Sequence, residues 1–237
     1  MEGAWDSDGK GRNIWDDFVE IPGRIDNGDT GQVADDFYHR YPEDIASMKR
    51  LGIKHFRMSL SWARLLPNGT TDQPNQKGVD FYNALFDALI AAGIEPWVTL
   101  YHWDLPSALN DKTPHGGWLN PAIQDRFNEY ADFCFSNFGS KVRKWITFNE
   151  PQSFTWIAYG LGGHAPGRCS PYMRSDCNVS GGGGNSSTEP YIAAHNVILA
   201  HAKAVNTYRQ KYQQSQGGEI GIDVASAFYL PWDPNSE

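Results

Sequence analysis

Near its middle the chain carries Lys144-Trp145-Ile146-Thr147-Phe148-Asn149-Glu150-Pro151. Aromatic and β-branched residues favour extended backbone, so a strand is predicted at 144–148. In parallel α/β folds the functional side chains gather where strands finish. A strand that ends in Asn149 and Glu150 therefore presents a hydroxyl-binding amide and a proton-transfer carboxylate to one ligand.

The chain alternates short β-rich runs with longer helical patterns on both sides of that stretch. Strands are predicted at 55–62, 95–102, 144–148 and 219–225. Helices are predicted from 35 or 42 to 51, over an apolar-periodic segment that ends at Gly93, at 121–138, and at 189–212 with Thr188 as its cap. Such alternation builds a parallel sheet. Because a closed (β/α)8 barrel needs eight strands, four strands predict an incomplete barrel.

The segment 160–188 is rich in Gly, Ser, Pro and Asn, and it is predicted to be a long loop. It lies inside the β/α alternation rather than between two such units. Residues 1–237 are therefore expected to form a single domain. In the longest helical pattern, His195 and His201 fall among apolar residues and are predicted to be packing residues. Trp62 and Trp97 are likewise predicted to pack inside the barrel.

The composition excludes several classes of function. Twenty-eight acidic residues against 20 basic ones give a formal charge of −8, which argues against binding to nucleic acid. Membrane insertion is not expected, since no run of about 18 apolar residues occurs. The cysteines and histidines lack the spacing of a zinc site, so neither a metal nor a cofactor is expected.

Two other strand ends carry polar clusters, namely Arg57 to Trp62 and Tyr101-His102-Trp103-Asp104. Aromatic residues make up 14% of the chain, and nine of them are tryptophans. Flat aromatic rings stack on the apolar faces of pyranose rings. The strand ends therefore indicate a sugar site.

Taken in order along the chain, these motifs resemble family-1 glycoside hydrolases, the β-glucosidase family. The matching segments are 147–151 (the acid/base motif), 101–106 (the second signature), 56–62 (the strand-two pattern) and 2–5 (the tail of the motif after strand one). Segments 167–177 and 188–191 look most like the plant-type members. The resemblance implies a (β/α)8 TIM barrel of which about strands 2–5 are present, without the first strand and the C-terminal half.

The resemblance also implies a role for each matched residue. Glu150 would protonate the departing glycosidic oxygen and later deprotonate a water molecule. Asn149 would bind the sugar 2-hydroxyl. His102 would bind a neighbouring hydroxyl, with Trp103 in the pocket wall. Arg57 would keep the nucleophilic carboxylate ionised, although an ordinary buried ion pair is an equal alternative for it.

One essential group of such a site is missing. A retaining mechanism needs two carboxylates about 5–5.5 Å apart. In the family the nucleophile belongs to a Thr-Glu-Asn-Gly type motif on strand seven, which this chain lacks. The resemblance thus implies the N-terminal half of a retaining β-glucosidase. Since thioglucosidase members carry glutamine at the position of Glu150, an O-glycosidase is favoured.

We expect the chain alone not to turn over β-glucosides. The alternative is a non-catalytic sugar-binding or interaction protein derived from a truncated barrel. An unfinished barrel has two unpaired parallel edges. We therefore expect it to pair with a complementary C-terminal half or with a second copy of itself.

The cysteines and sequons bear on the compartment. Cys169 and Cys177 flank a short polar segment and could close a disulfide loop, whereas Cys134 is predicted to be a buried free thiol. Sequons for N-glycosylation occur at Asn68, Asn178 and Asn185. These features favour the secretory pathway, extracellular or vacuolar, although no targeting signal is visible in the chain.

Overall fold

The computed structural model describes residues 2–110, 116–177, 183–227 and 229–233. Its four strands are β1 (His55–Ser59), β2 (Glu95–Tyr101), β3 (Lys144–Asn149) and β4 (Glu219–Asp223). They form one sheet in the order β1-β2-β3-β4, and every pair is parallel. All four predicted strands are therefore confirmed, and their carboxyl ends meet at one edge of the sheet.

Eight α-helices connect and cover the strands within the described ranges. Their bounds are α1 Ile14–Phe18, α2 Phe37–Arg50, α3 Trp62–Leu65, α4 Gln76–Ala91, α5 Ile123–Phe138, α6 Pro151–Tyr159, α7 Glu189–Lys211 and α8 Gln213–Gln216. Two of the turns into strands are made by glycine. Gly52 and Gly93 adopt φ values of 74° and 76°, and this left-handed backbone ends α2 and α4 at little steric cost.

The hydrophobic core lies between the sheet and helices α4, α5 and α7. Trp62 stacks on Tyr130 with ring centroids 4.6 Å apart, and both rings are fully buried. The Tyr130 hydroxyl donates to the Leu100 carbonyl at 3.0 Å, which ties α5 to β2. A buried polar pair also links two of the helices, because Gln124 of α5 donates to Asn196 of α7 at 2.8 Å.

The N-terminal segment, residues 2–18, is anchored beside the carboxyl ends of β1 and β2. The guanidinium of Arg64, which is fully buried, pairs with Glu2 at 2.9 Å. The backbone N–H of Ile14 donates to the Leu105 carbonyl at 2.9 Å. Asn13 starts α1 through a capping box with Asp16. These contacts hold the segment beside the strand ends.

The structure corrects several of the expectations. Helix α6 is not predicted; it is short and begins directly after Glu150, with Pro151 in its first turn. β1 ends at Ser59 rather than at the predicted Trp62, because Trp62 already begins α3. The side chain of Thr188 caps nothing. His195 is exposed rather than packed, since it lies on the outer face of α7.

Two further residues differ in part from their predicted packing. His201 is half-buried, and its ring contacts the Thr147 hydroxyl at 2.7 Å. Trp62 is buried as predicted. Trp97 is 37% exposed, on the face of the sheet that also carries Arg57, which is the inner face. Within the described ranges, no helix combines the length and the apolar character needed to cross a bilayer.

Candidate active site

The site lies where the four strands finish. Arg57 projects from β1, Thr99 from β2, Asn149 from β3 and Asp223 from β4, and one guanidinium connects them. Arg57 Nε donates to Thr99 Oγ1 at 3.2 Å, and Nη2 donates to Asn149 Oδ1 at 2.5 Å. Arg57 Nη1 pairs with Asp223 Oδ2 at 2.9 Å. A single side chain therefore joins all four strands at their carboxyl ends.

The amide of Asn149 has a fixed orientation. A guanidinium has donors only, so the atom that faces Arg57 must be the carbonyl oxygen. Asn149 is buried, with 4% of its surface exposed. Its Nδ2 makes no hydrogen bond with any other described residue, so this NH2 group is the donor left for a ligand. The expected hydroxyl-binding role of Asn149 thus has a matching geometry.

Two residues of the site have backbone conformations that L-amino acids seldom adopt. Trp103 has φ 77° and Glu150 has φ 43°. The Trp103 indole N–H donates to the Asn149 carbonyl at 2.8 Å, which bridges the ends of β2 and β3. The Glu150 N–H donates to the Asp223 carbonyl at 3.0 Å, and Glu150 is half-buried. Strained backbone of this kind is typical of functional sites.

His102 is held largely in its neutral form. Partial desolvation lowers its pKa below the ordinary 6.5, and the positive charge of Arg57 lowers it further. The negative charges of Glu150 and Asp223 offset only part of that shift. A neutral imidazole both donates and accepts a hydrogen bond, which suits a sugar hydroxyl.

Asp104 carries the largest carboxyl shift near the site. Burial raises its pKa from 3.8 to about 7, with the charge of Glu2 adding to the rise. The positive charge of Lys10 and the nearby backbone N–H groups of Asp104 and His102 offset part of the effect. Its buried Oδ1 has no hydrogen-bond partner among the described residues. Asp104 belongs to the motif at 101–106, but the sequence predicts no role for it.

An aromatic wall extends from Trp103 toward the N-terminal segment. The ring of His164 lies 5.2 Å from Trp103 and 5.4 Å from Trp15, measured between centroids. Burial lowers the pKa of His164, so this ring is neutral too. Sequence reasoning missed both Trp15 and His164, because neither lies in a strand-end motif.

An open cleft of about 1020 Å³ runs from the strand ends to the N-terminal segment. Arg57, His102, Trp103 and Asp104 line it. Asn149 and Glu150 lie beside the cleft and are not part of its lining. The structure thus gathers the five predicted site residues at one edge of the sheet. Asn149 and Glu150, at the end of β3, lie at the margin of the cleft.

The remaining predictions lie away from the strand ends. Cys169 and Cys177 form a disulfide, and Cys134 is a buried free thiol. Asn68 and Asn185 are exposed, while Asn178 lies outside the described residues. In the described part of the chain, no cluster of three His, Cys, Asp or Glu side chains could hold a metal ion.

Comparisons with known proteins agree with this geometry. The family model "Glycosyl hydrolase family 1" matches residues 1–237. The chain is 49% identical over 232 residues to β-glucosidase 17 of Arabidopsis thaliana. The matched residues cover 97% of this chain and 44% of that protein.

Two solved structures resemble this one closely. A mutant of the rice β-glucosidase Os3BGlu6, in a covalent complex with Glc, has a TM-score of 0.89 at 49% identity, covering 94% of this chain and 45% of that one. A Thermotoga maritima β-glucosidase in complex with castanospermine has a TM-score of 0.83 at 43% identity, covering 99% and 48%. The chain thus spans less than half the length of these relatives. The four-stranded sheet is an incomplete (β/α)8 barrel, as the sequence predicts.

Proposed function

The chain belongs to glycosyl hydrolase family 1, and on that premise we propose that it is the acid/base half of a retaining β-glucosidase. One observation carries the proposal. Asn149 ends β3 and Glu150 follows it directly, while Arg57 binds the Asn149 amide and His102 and Trp103 adjoin from the end of β2. This arrangement places one proton-transfer group next to fixed hydroxyl-binding groups.

In the proposed reaction Glu150 acts twice. As a carboxylic acid it gives its proton to the glycosidic oxygen while the bond from that oxygen to the anomeric carbon breaks. A carboxylate from the other half of the barrel attacks the anomeric carbon and forms a glycosyl ester. Glu150, now a carboxylate, takes a proton from water, and the resulting hydroxide oxygen displaces the ester with net retention. The rice relative with covalent Glc supports such an intermediate.

The neighbouring groups bind the sugar in this scheme. The free NH2 group of Asn149 donates to the 2-hydroxyl, a contact that strengthens as positive charge develops on the ring. Neutral His102 binds an adjacent hydroxyl. The Trp103 ring forms a wall of the pocket, and its indole N–H is already used to hold the Asn149 carbonyl.

We propose that the chain alone does not hydrolyse glycosides, since the nucleophile motif is absent from it. The test is hydrolysis of an aryl β-glucoside by the purified chain, with Glu150→Gln as the matched control. No turnover is expected from either protein. Turnover by the wild type that disappears in Glu150→Gln would overturn the half-site proposal and show that a complete site assembles from this chain.

A complementary half is the partner that we propose. β1 and β4 are edge strands, and α7 exposes an apolar face on which Tyr191 and Ile198 are 72% and 62% exposed. Mixing the chain with the separately produced C-terminal half of the rice relative is expected to restore turnover that Glu150→Gln abolishes. If wild-type and variant mixtures are equally inactive, complementation is wrong. Light scattering of the chain alone tests pairing with a second copy.

A non-catalytic sugar-binding protein remains the second candidate, and the intact Asn149–Arg57 bond favours sugar binding in either case. Castanospermine, which the Thermotoga relative binds, is a suitable probe. Calorimetric binding by the chain, together with failure of complementation, would favour this second candidate over the enzyme half.

We also propose the secretory pathway as the compartment and a single domain as the organisation. The disulfide and the exposed Asn68 and Asn185 support secretion, although the name of one wheat relative includes "chloroplastic". Loss of mass on treatment with an N-glycan-removing enzyme, after expression in a eukaryotic host, is the expected result.

A continuous cluster of buried apolar residues from Ile14 to Tyr208 supports one domain.

A further inference from the structure

The proposed mechanism gives Asp223 no role, and we propose that its carboxylate is a positioning residue for Arg57 and, through Arg57, for the amide of Asn149. The proposal deepens the proposed function, since it concerns the group that meets the sugar 2-hydroxyl. Asp223 ends β4, outside every motif that the sequence reading used.

Arg57 is held by hydrogen-bond acceptors on three other strands. Its side chain is 41% exposed, so packing alone does not immobilise it. Three acceptors fix the guanidinium plane, and only Asp223 among them is charged. Because the guanidinium is charged, all three bonds are charge-assisted, but only the bond to Asp223 joins two opposite charges and adds an ionic attraction to the hydrogen bond. The bond to Asp223 therefore sets the direction in which Nη2 points, which is toward Asn149.

Arg57 in turn decides which way the Asn149 amide faces. Arg57 holds Oδ1, and this contact keeps Nδ2 directed to the ligand side. If Arg57 turned away, nothing else among the described contacts would distinguish the two amide orientations. The reversed amide would present an acceptor where the sugar hydroxyl needs a donor.

The side chain and the backbone of Asp223 make different contacts. Its carbonyl accepts the Glu150 N–H at 3.0 Å, and it faces Asn149 in the β3–β4 register. Substitution of the side chain leaves that backbone contact available. Asp223→Asn thus tests the carboxylate without removing the support of the Glu150 backbone.

The experiment uses 15N NMR of the whole chain without ligand. Signals of the Asn149 side-chain NH2 and of Arg57 Nε–H are assigned by their loss in Asn149→Asp and Arg57→Lys. Asp223→Asn is expected to shift the Asn149 signal and to speed hydrogen exchange at Arg57 Nε–H several-fold. Glu219→Gln is the matched control, since its carboxylate pairs with Lys144 at 2.8 Å at the other end of β4.

Unchanged signals in Asp223→Asn would overturn the proposal, as would equal changes in Glu219→Gln. Asp223→Glu keeps the charge and is expected to restore much of the wild-type spectrum. If Asp223→Asn fails to fold, the comparison of Asp223→Glu with Asp223→Ser takes its place. Identical spectra for these two variants would also count against the carboxylate.

A second measurement ties the effect to ligand binding. Asp223→Asn is expected to weaken castanospermine binding about tenfold. Adding Asp223→Asn to Asn149→Ala is expected to cause little further loss, because both act through one amide. Wild-type affinity in Asp223→Asn would contradict the proposal. If the wild-type chain itself binds no castanospermine, the second candidate, a sugar-binding protein, fails, while complementation still tests the enzyme half and the NMR comparison still decides the role of Asp223.

Discussion

The two ends of the same sheet carry polar networks that differ in construction. At the amino ends of the strands, His55 pairs with Glu95 at 2.9 Å and Lys144 pairs with Glu219 at 2.8 Å. Each of these pairs joins only two neighbouring strands. At the carboxyl ends, Arg57 alone contacts acceptors on the three other strands.

The surroundings of the two networks differ as well. The side chains of His55 and Glu219 are 64% and 76% exposed, so water screens their pairs. At the carboxyl ends, Trp103 and Glu150 have positive φ, and nearby groups have displaced pKa values. Charge on the inner face of a sheet therefore does not identify a site. A site is identified where side chains from several strands together orient one donor toward a ligand and the backbone beside them is strained.

The largest expected difference between the two ends concerns ligand binding. Arg57→Met removes the group that orients Asn149 and leaves Asp223 without its cation. We expect castanospermine affinity to fall about a hundredfold or more. Lys144→Met, at the amino ends, is the control and is expected to stay within about twofold. Equal losses in calorimetry would erase the distinction between the ends.

A second effect concerns the dependence of stability on pH. Because the folded-state pKa of Asp104 is raised to about 7, its stabilising contribution is complete below about pH 3.8 and is lost as pH rises through 7. Asp104→Asn lacks this loss. Relative to the wild type, its free energy of unfolding should rise between pH 4 and pH 8, by up to about 4 kcal/mol for a pKa raised from 3.8 to about 7.

Urea unfolding at the two pH values measures this gain. Glu219→Gln provides the comparison from the other end of the sheet. A difference between Asp104→Asn and wild type that stays constant from pH 4 to pH 8 would contradict a raised pKa for Asp104.

His102 should show a weaker effect of the opposite sign. Its lowered pKa means that the unfolded chain takes up a proton at this residue before the folded chain does. The contribution to stability is therefore present above pH 6.5 and is lost as pH falls through the folded-state pKa. An NMR titration of the imidazole should give a midpoint below 6.5. A midpoint at or above that value would disprove the assignment of His102 as neutral.

The smallest effect is expected at the amino ends of the strands. Removing the exposed pair with His55→Ala should change the free energy of unfolding by less than about 0.5 kcal/mol. Thermal unfolding at pH 7 is a sufficient measurement. A loss of several kcal/mol would show that the amino-end network is as organised as the carboxyl-end one.

The strands and the site were predictable to different degrees. The run 144–151 places Asn149 and Glu150 at a strand end, because β-rich residues and a following proline are local signals. Asp223 has no such signal, since its partner Arg57 lies far away in the sequence and only the sheet order brings the two together. Helix α6 escaped prediction because it is nine residues long and follows a strand without a loop.

Burial was harder to predict than position. His195 follows the apolar spacing of α7, yet it lies on the outer face, together with Tyr191 and Ile198. Helix α7 carries apolar residues on its outer face as well as on its inner face, so apolar spacing alone does not separate the two faces. The aromatic wall of Trp15 and His164 depends on contacts between distant loops, which local patterns do not encode.

The hydrogen bond from the Glu150 N–H to the Asp223 carbonyl sets a boundary for protein engineering. The turn that carries Glu150 is supported from outside its own strand, by the final residue of β4. A shortened version that stops before residue 219 would keep every family motif and still lose this support. The smallest fragment that retains the native backbone conformation of Glu150 must therefore extend through Asp223.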